Sequence, residues 1–551
     1  MRRLGVGVSL LALSLVGGLS VKAHAASGDG QDTGGISPVI IKETDRHAPA
    51  DFGFGPGVRP GAKARAAQTA ITPLAAGVVP TGGANAQTQG VFGPPITWPI
   101  IGVHAVLLPD GRVLTYGTDE QGQQGGQFVY DVWDPAHGTE ADSHLTLPNT
   151  TATDIFCSAQ SVLSATGQVL ITGGDATVDG VRNYSTEQTE LFDPLNNTLQ
   201  SIPGMTYARW YPTAVDLSNG EVVILGGRQE PNIDAPAPEI FSPTAGWRTL
   251  AGASSVPALG FPDGNWYYPK AFLTPSGKIF VLGNWTYTYS LTTTGDGSVT
   301  LLSSQAVPGN YQLPALMYAP GKVLSLRANK KVNLVNVSLK TPAITTTTDL
   351  DQVRYWANTT VMADGKVLVN GGSAVANELT GVAYTAQIWN PLDGKWTVGA
   401  AAGKPRLYHS IALLLPDGSV LTGAGGAPGP VNNLNMEIYY PPYLYRKNTS
   451  GLPASRPTLT SAPSLVHVGQ TFTATVAANQ TIGRVTMVRT GSVTHSFNPS
   501  QRFVPLTFVQ SGQTLTITMP TDPDVALPGY YMMFVLKGGV PSVAKIVRVT
   551  T

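Results

Sequence analysis

Pro109–Gly117 (PDGRVLTYG) decides the fold: a polar turn ending in glycine runs straight into an apolar strand, and the phrase returns six more times. The copies are ATGQVLITGG at 165–174, SNGEVVILGG at 218–227, PSGKIFVLG at 275–283, APGKVLSL at 319–326, ADGKVLVNGG at 363–372 and PDGSVLTGAGG at 416–426. A tight hairpin needs a positive φ that a Cβ disfavours, so Gly111, Gly167, Gly220, Gly277, Gly321, Gly365 and Gly418 mark seven hairpins. They lie 44 to 57 residues apart, the length of a four-stranded propeller blade, and seven blades close a ring without a long exposed sheet edge. Between them a second phrase recurs: Asp131-Val132-Trp133-Asp134-Pro135, Glu190-Leu191-Phe192-Asp193-Pro194, Glu239-Ile240-Phe241-Ser242-Pro243, Gln387-Ile388-Trp389-Asn390-Pro391 and Glu437-Ile438-Tyr439-Tyr440-Pro441. It reads as an outer blade strand ended by proline.

Composition agrees. The 551 residues include 62 Gly and 43 Pro, with 12% charged and 42% hydrophobic residues, which favours short strands and tight turns over long amphipathic helices. The expected fold class is all-β: a seven-bladed kelch-type β-propeller over 95–445, then an immunoglobulin-like β-sandwich over 446–551. In the sandwich, alternating stretches such as 471–476 and 514–518 read as strands. Residues 1–25 read as a signal peptide, with Arg2 and Arg3, an apolar run from Leu4 to Val21, and Ala23-His24-Ala25. Export, to the medium or the cell surface, is therefore expected, with an uncleaved N-terminal anchor as the alternative. Residues 26–94, rich in Gly, Ala, Pro and Thr without periodicity, read as a linker. A net charge of zero and the lack of a Lys/Arg-rich block give no electrostatic ground for a nucleic-acid or membrane partner. A small molecule or a glycan suits this chain better, and a monomer is expected.

Nine and ten residues before each turn glycine lie equivalent places near the start of the strand beside the axis. The pairs are Ile101/Gly102, Cys157/Ser158, Trp210/Tyr211, Tyr267/Tyr268, Tyr311/Gln312, Tyr355/Trp356 and Tyr408/His409. The lone cysteine, several tyrosines and a histidine thus fall at one level of one ring, although a one-residue slip would reverse their facing. An aromatic plug filling the channel explains the tyrosines, and a small buried hydrophobe explains Cys157. Tyr408-His409 adds a second reading, because phenolate and imidazole both ligate Cu(II). Among the other histidines, His495 stands out in the polar stretch Thr490–Asn498, where a sandwich loop is placed to reach the propeller axis; an exposed loop histidine is the alternative.

At these residues the chain resembles the galactose oxidase and glyoxal oxidase family of copper radical oxidases, over about residues 95 to 551. Asp154-Ile155-Phe156-Cys157-Ser158 resembles the segment of the family's cross-linked cysteine, and Ala208-Arg209-Trp210-Tyr211-Pro212-Thr213 that of its cross-linked tyrosine. Arg406-Leu407-Tyr408-His409-Ser410 resembles the tyrosine-histidine ligand pair, and Thr494-His495-Ser496-Phe497-Asn498 the loop of the second histidine. The resemblance implies one copper per chain, held by Tyr211, His409 and His495 with Tyr408 axial, and a Cys157-Tyr211 thioether that carries a radical. It implies catalytic roles for Cys157, Tyr211 and Tyr408 in oxidising a primary alcohol or aldehyde with O2 to give hydrogen peroxide. Two departures disfavour galactose: Gly226-Gly227 is followed by Arg228 and Gln229 where galactose oxidase has a tryptophan over the cross-linked ring, and no residue matches its sugar-contacting arginine. Small aldehydes or simple primary alcohols are the expected substrates. Two rival readings are a non-catalytic kelch propeller that binds a glycan or a protein, and a propeller hydrolase with paired carboxylates; no Asp or Glu in the ring pairs supports the second.

Overall fold

All seven turn glycines take the conformation that the repeat requires, with φ between 68° at Gly321 and 92° at Gly111. Each joins the first two strands of a separate antiparallel sheet. The computed structural model describes residues 78–551 except 180, 262 and 263; the expected signal peptide, and the linker up to residue 77, lie outside the described residues. The axial strands are His104–Leu107, Ala159–Val162, Trp210–Asp216, Lys270–Leu273, Ala315–Ala319, Asn358–Val361 and Ser410–Leu414, one for each of seven blades. Burial falls outward. The inner strands Val113–Tyr116 and Val169–Thr172 are buried throughout, whereas the outermost strands Thr198–Ile202 and Ser298–Gln305 alternate between exposed and covered residues. The recurring Glu-apolar-aromatic phrase is the third strand, as in Glu239–Ser242.

Closure uses the N-terminal segment. Val91 pairs with Tyr440 and Ile96 with Met436, so Val91–Phe92, at the end of the stretch read as linker, forms an outer strand of the last blade. Pairing the segment before the first blade with the last blade ties the start of the propeller to its end and closes the ring.

The C-terminal strands from Leu459–Ser461 to Lys545–Thr550 form the expected sandwich. Its long strand Phe503–Ser511 pairs with Arg484–Arg489 along its first half and with Thr514–Thr518 along its second, so the sheet folds over a core that includes Val466, Phe472, Met487, Ile517, Met533 and Val547. From this sandwich the segment Ser492–Thr494 leaves and pairs with His104–Leu107, becoming the strand inside the axial strand of the first blade. The sandwich thereby inserts His495 into the propeller. Among the described residues no helix is long and apolar enough to cross a membrane.

Candidate functional site

In a regular strand successive side chains point to opposite faces, but here five axial strands are entered through a residue with left-handed backbone. These are Cys157 (φ 59°), Tyr211 (φ 65°), Tyr268 (φ 37°), Trp356 (φ 61°) and His409 (φ 67°). Alternation breaks at that point, so sequence neighbours meet: the rings of Tyr408 and His409 lie 3.7 Å apart, and those of Trp210 and Tyr211 4.0 Å. Strain of this kind costs about 1–3 kcal/mol per residue and persists where surrounding structure fixes it. Here backbone bonds between blades do so: Tyr211 N donates to Cys157 O (3.1 Å), Tyr268 N to Tyr211 O (2.9 Å) and Trp356 N to Gln312 O (2.8 Å).

Two buried arginines brace the strand entries. Arg209 pairs with Glu239 (3.1 Å) and donates to Gly226 O, while Arg406 pairs with Glu437 (2.8 Å) and donates to Asn435 O. Each glutamate is the first residue of the third-strand phrase, a partnership that the sequence reading missed although each arginine stands two residues before a ring tyrosine.

The side chains converge. Tyr211 Oη lies 2.9 Å from Tyr408 Oη, and Tyr267 Oη donates to Tyr408 Oη at 3.0 Å. Cys157 Sγ lies 3.5 Å from His495 Nε2. Ligand atoms of Cys157, His409 and His495 all fall within 4.8 Å of one another. Every one of these residues is at most 2% exposed.

Each imidazole is oriented by its other nitrogen. His409 Nδ1 donates to Gly426 O (2.7 Å), which leaves Nε2 buried, basic and without a hydrogen-bond partner. The Thr494 hydroxyl gives its hydrogen to Val103 O (3.0 Å), so it accepts from His495 Nδ1 (2.6 Å) and leaves Nε2 as the base. This is the arrangement of metal-ligating histidines, in which the distal N–H is anchored by a second group. Burial pushes the His409 pKa down to about 3 and, with His409 alongside, drives that of His495 well below its usual range, so both stay neutral as ligation requires. Burial pushes the Cys157 thiol and the Tyr211 and Tyr408 phenols up. A metal cation offsets that by favouring phenolate. Two neutral imidazoles with two phenol oxygens fit Cu(II) among biological metals.

Sequence reasoning placed Cys157, Tyr211, Tyr408, His409 and His495 in one site, and the structure brings these five together. Of the ring pairs, Trp356 faces the cluster, 4.5 Å from the Tyr408 ring, while its neighbour Tyr355 pairs in the backbone with Ser373. Ile101 and Gly102 belong to the ring but bring no chemistry. His104 has both nitrogens engaged, Nδ1 with Gln160 (3.0 Å) and Nε2 with Cys157 N (3.1 Å), and so holds the cysteine's backbone in place. His137, His144 and His467 bond elsewhere, to Asp134, Asp131 and Thr550.

These buried histidines set a pH dependence. Unfolded histidine titrates near pH ~6.5, whereas burial holds His104 and His409 near 3. A depressed histidine pKa contributes stability fully above the unfolded value and loses it as pH falls toward the folded value, at ~1.4 kcal/mol per pH unit for each group. Thermal unfolding of the metal-free chain is expected to shift steadily downward from pH 7 to pH 5, with a shallower slope in His409→Asn. Equal slopes in the two proteins would contradict this account.

Comparison with known proteins agrees with the geometry. Residues 456–549 match the family described as "Galactose oxidase-like, Early set domain". The chain is 30% identical over 506 residues to galactose oxidase from Gibberella zeae, covering 84% of this chain and 71% of that one. It is 26% identical to aldehyde oxidase GLOX from Vitis pseudoreticulata, over 72% of this chain and 82% of the relative. In fold it resembles a fungal alcohol oxidase of the AA5 family solved in complex with copper, with a TM-score of 0.75 and 24% identity over 84% of this chain and all of the other.

Proposed function

The chain belongs to the galactose oxidase family of copper radical oxidases, and from that premise we propose that it oxidises small aldehydes, as their hydrates, or simple primary alcohols, with O2 as oxidant and hydrogen peroxide as co-product. Copper is the cofactor of this family, and the chain is an O2-dependent oxidase. The reading is carried by two buried imidazoles whose ligand atoms lie within 4.8 Å of each other, with His409 Nε2 unpartnered, packed against two phenols whose oxygens are 2.9 Å apart. Tyr211, Tyr408, His409 and His495 would hold the metal.

The overall change is RCH(OH)2 + O2 → RCOOH + H2O2, or RCH2OH + O2 → RCHO + H2O2, and each removes two electrons and two protons. Copper, when bound, accepts one of those electrons. The second falls to the Tyr211 ring, which a thioether to Cys157 would adapt for storing a radical; it takes the hydrogen atom from the substrate carbon. Tyr408 Oη accepts the hydroxyl proton. The hydrogen bond from Tyr267 stabilises Tyr408 when it is ionised, and so prepares it as a base. Tyr267, Trp356 and His495 pack around these phenols and exclude water from the radical. The N-terminal signal reading supports an exported enzyme acting where O2 and copper are both accessible.

Close packing favours a small substrate, since Tyr211 has Trp210 at 4.0 Å and Tyr267 at 4.2 Å. Peroxide release by the copper-loaded chain is expected to give a kcat/KM for glyoxal, methylglyoxal or simple primary alcohols at least about tenfold above that for galactose, a margin of ~1.4 kcal/mol in transition-state binding. A preference for galactose would overturn the substrate assignment.

A further inference from the structure

Arg228 is a buried cation without an ion-pair partner among the described residues. It is 4% exposed, and among the described residues no carboxylate stands within ion-pair distance of it. The other buried arginines differ. Arg209, Arg354, Arg406 and Arg489 each meet a carboxylate at 2.5–3.1 Å, and Arg327 and Arg502 are met by main-chain carbonyls. Arg228 gives one hydrogen bond, from Nη2 to Asn183 O (2.6 Å), and its Nε is buried without a partner. The nearby Asp175 carboxylate is already engaged by Asn183 N and Gln124.

Its position is next to the reacting ring. Arg228 lies directly across the blade from Trp210, with its guanidinium 4.0 Å over the Trp210 indole and 5.7 Å from that of Trp266. Both indoles touch Tyr211, at 4.0 and 5.9 Å between ring centroids. Trp210 Nε1 is also buried without a partner. Two unsatisfied N–H donors, one of them charged, thus lie on stacked side chains, one of which packs on Tyr211. A buried unpaired cation and unmet donors are costly unless a ligand completes them, and a group that only accepts hydrogen bonds and carries negative charge completes both.

We propose that Arg228 and Trp210 bind the carboxylate of a short anionic aldehyde and thereby orient its aldehyde hydrate toward Tyr408 and Tyr211. This rests on the oxidase reading above and narrows its substrate class to aldehydes with a carboxylate adjacent to the reacting carbon. For glyoxylate the change is the hydrate plus O2 giving oxalate plus H2O2, with the substrate carboxylate unchanged throughout. Arg228 is then a specificity residue.

Glyoxylate and glyoxal are the paired substrates, and oxalate, the product, is the binding probe. In Arg228→Met the ratio of kcat/KM for glyoxylate to that for glyoxal is expected to fall at least about tenfold, the scale of one charge-assisted hydrogen bond. Oxalate affinity of the full-length metal-free chain, read from tryptophan fluorescence, is expected to weaken by a similar factor, and Arg228→Lys to recover part of both. Copper content and cross-link mass check that the variants are folded. An unchanged ratio together with unchanged oxalate affinity would overturn the inference, the cation then serving only the Tyr211 phenolate. If the wild-type chain oxidises glyoxal and is indifferent to carboxylate, the inference falls while the oxidase reading stands. If the copper-loaded chain oxidises neither aldehyde, the small-aldehyde reading itself fails.

Discussion

His495→Ala is expected to abolish peroxide production and strip most of the copper while the seven blades and the sandwich stay folded. Losing a group that only orients a metal ligand through a hydrogen bond already costs about 10–100-fold in affinity or activity, so removing a direct ligand sets the expected loss at no less than about 100-fold. The fold survives because the hairpin has other anchors: Gln160 Nε2 donates to Val493 O (3.0 Å), Ser492 Oγ to Gln160 O (3.0 Å) and Gln501 Nε2 to Thr359 O (3.0 Å). Phe497 adds apolar contact with Phe272 and the fifth blade. Copper content, a thermal melt and peroxide assay on one preparation separate these effects. Full copper and full activity would show that the inserted hairpin supplies no ligand.

That hairpin marks a limit of reading structure from sequence. The local signal, a polar stretch between alternating strands, was visible, but the pairing of Thr494 with His104 joins residues 390 apart and leaves no local pattern. The turn glycines are the opposite case: each repeat must solve the same backbone problem, so the blade count and axial level follow from spacing alone. Facing was harder. An offset of nine or ten residues identified the right pairs, but strand alternation allows only one of each pair to face the axis. Left-handed backbone at Tyr211 and His409 lets two neighbours crowd the same site. Arg228 shows a further limit. It entered the reading as the loss of a tryptophan, whereas the structure stacks it on Trp210, whose place beside Tyr211 could have been suspected from their adjacency only if the broken alternation had been known.

Cys157→Ser is expected to retain much of its copper and lose most of its activity, because the cysteine's proposed role is to modify Tyr211 and not to ligate. Cys157 and Tyr211 stand on consecutive blades, joined by the backbone bond from Tyr211 N to Cys157 O, which holds the two residues beside each other. Forming the thioether removes the S–H hydrogen and one ring hydrogen, and O2 takes both to become H2O2. Copper loading under oxygen is therefore expected to lower the intact mass by two hydrogens. The new bond closes a loop between positions 157 and 211, so the denatured chain runs faster on a gel, and Cys157 stops reacting with alkylating agents even after unfolding, as no merely buried thiol would. The serine variant shows neither change. An intact, fully alkylatable Cys157 in the denatured, copper-loaded wild type would remove the second one-electron store, and with it the two-electron chemistry proposed for this site.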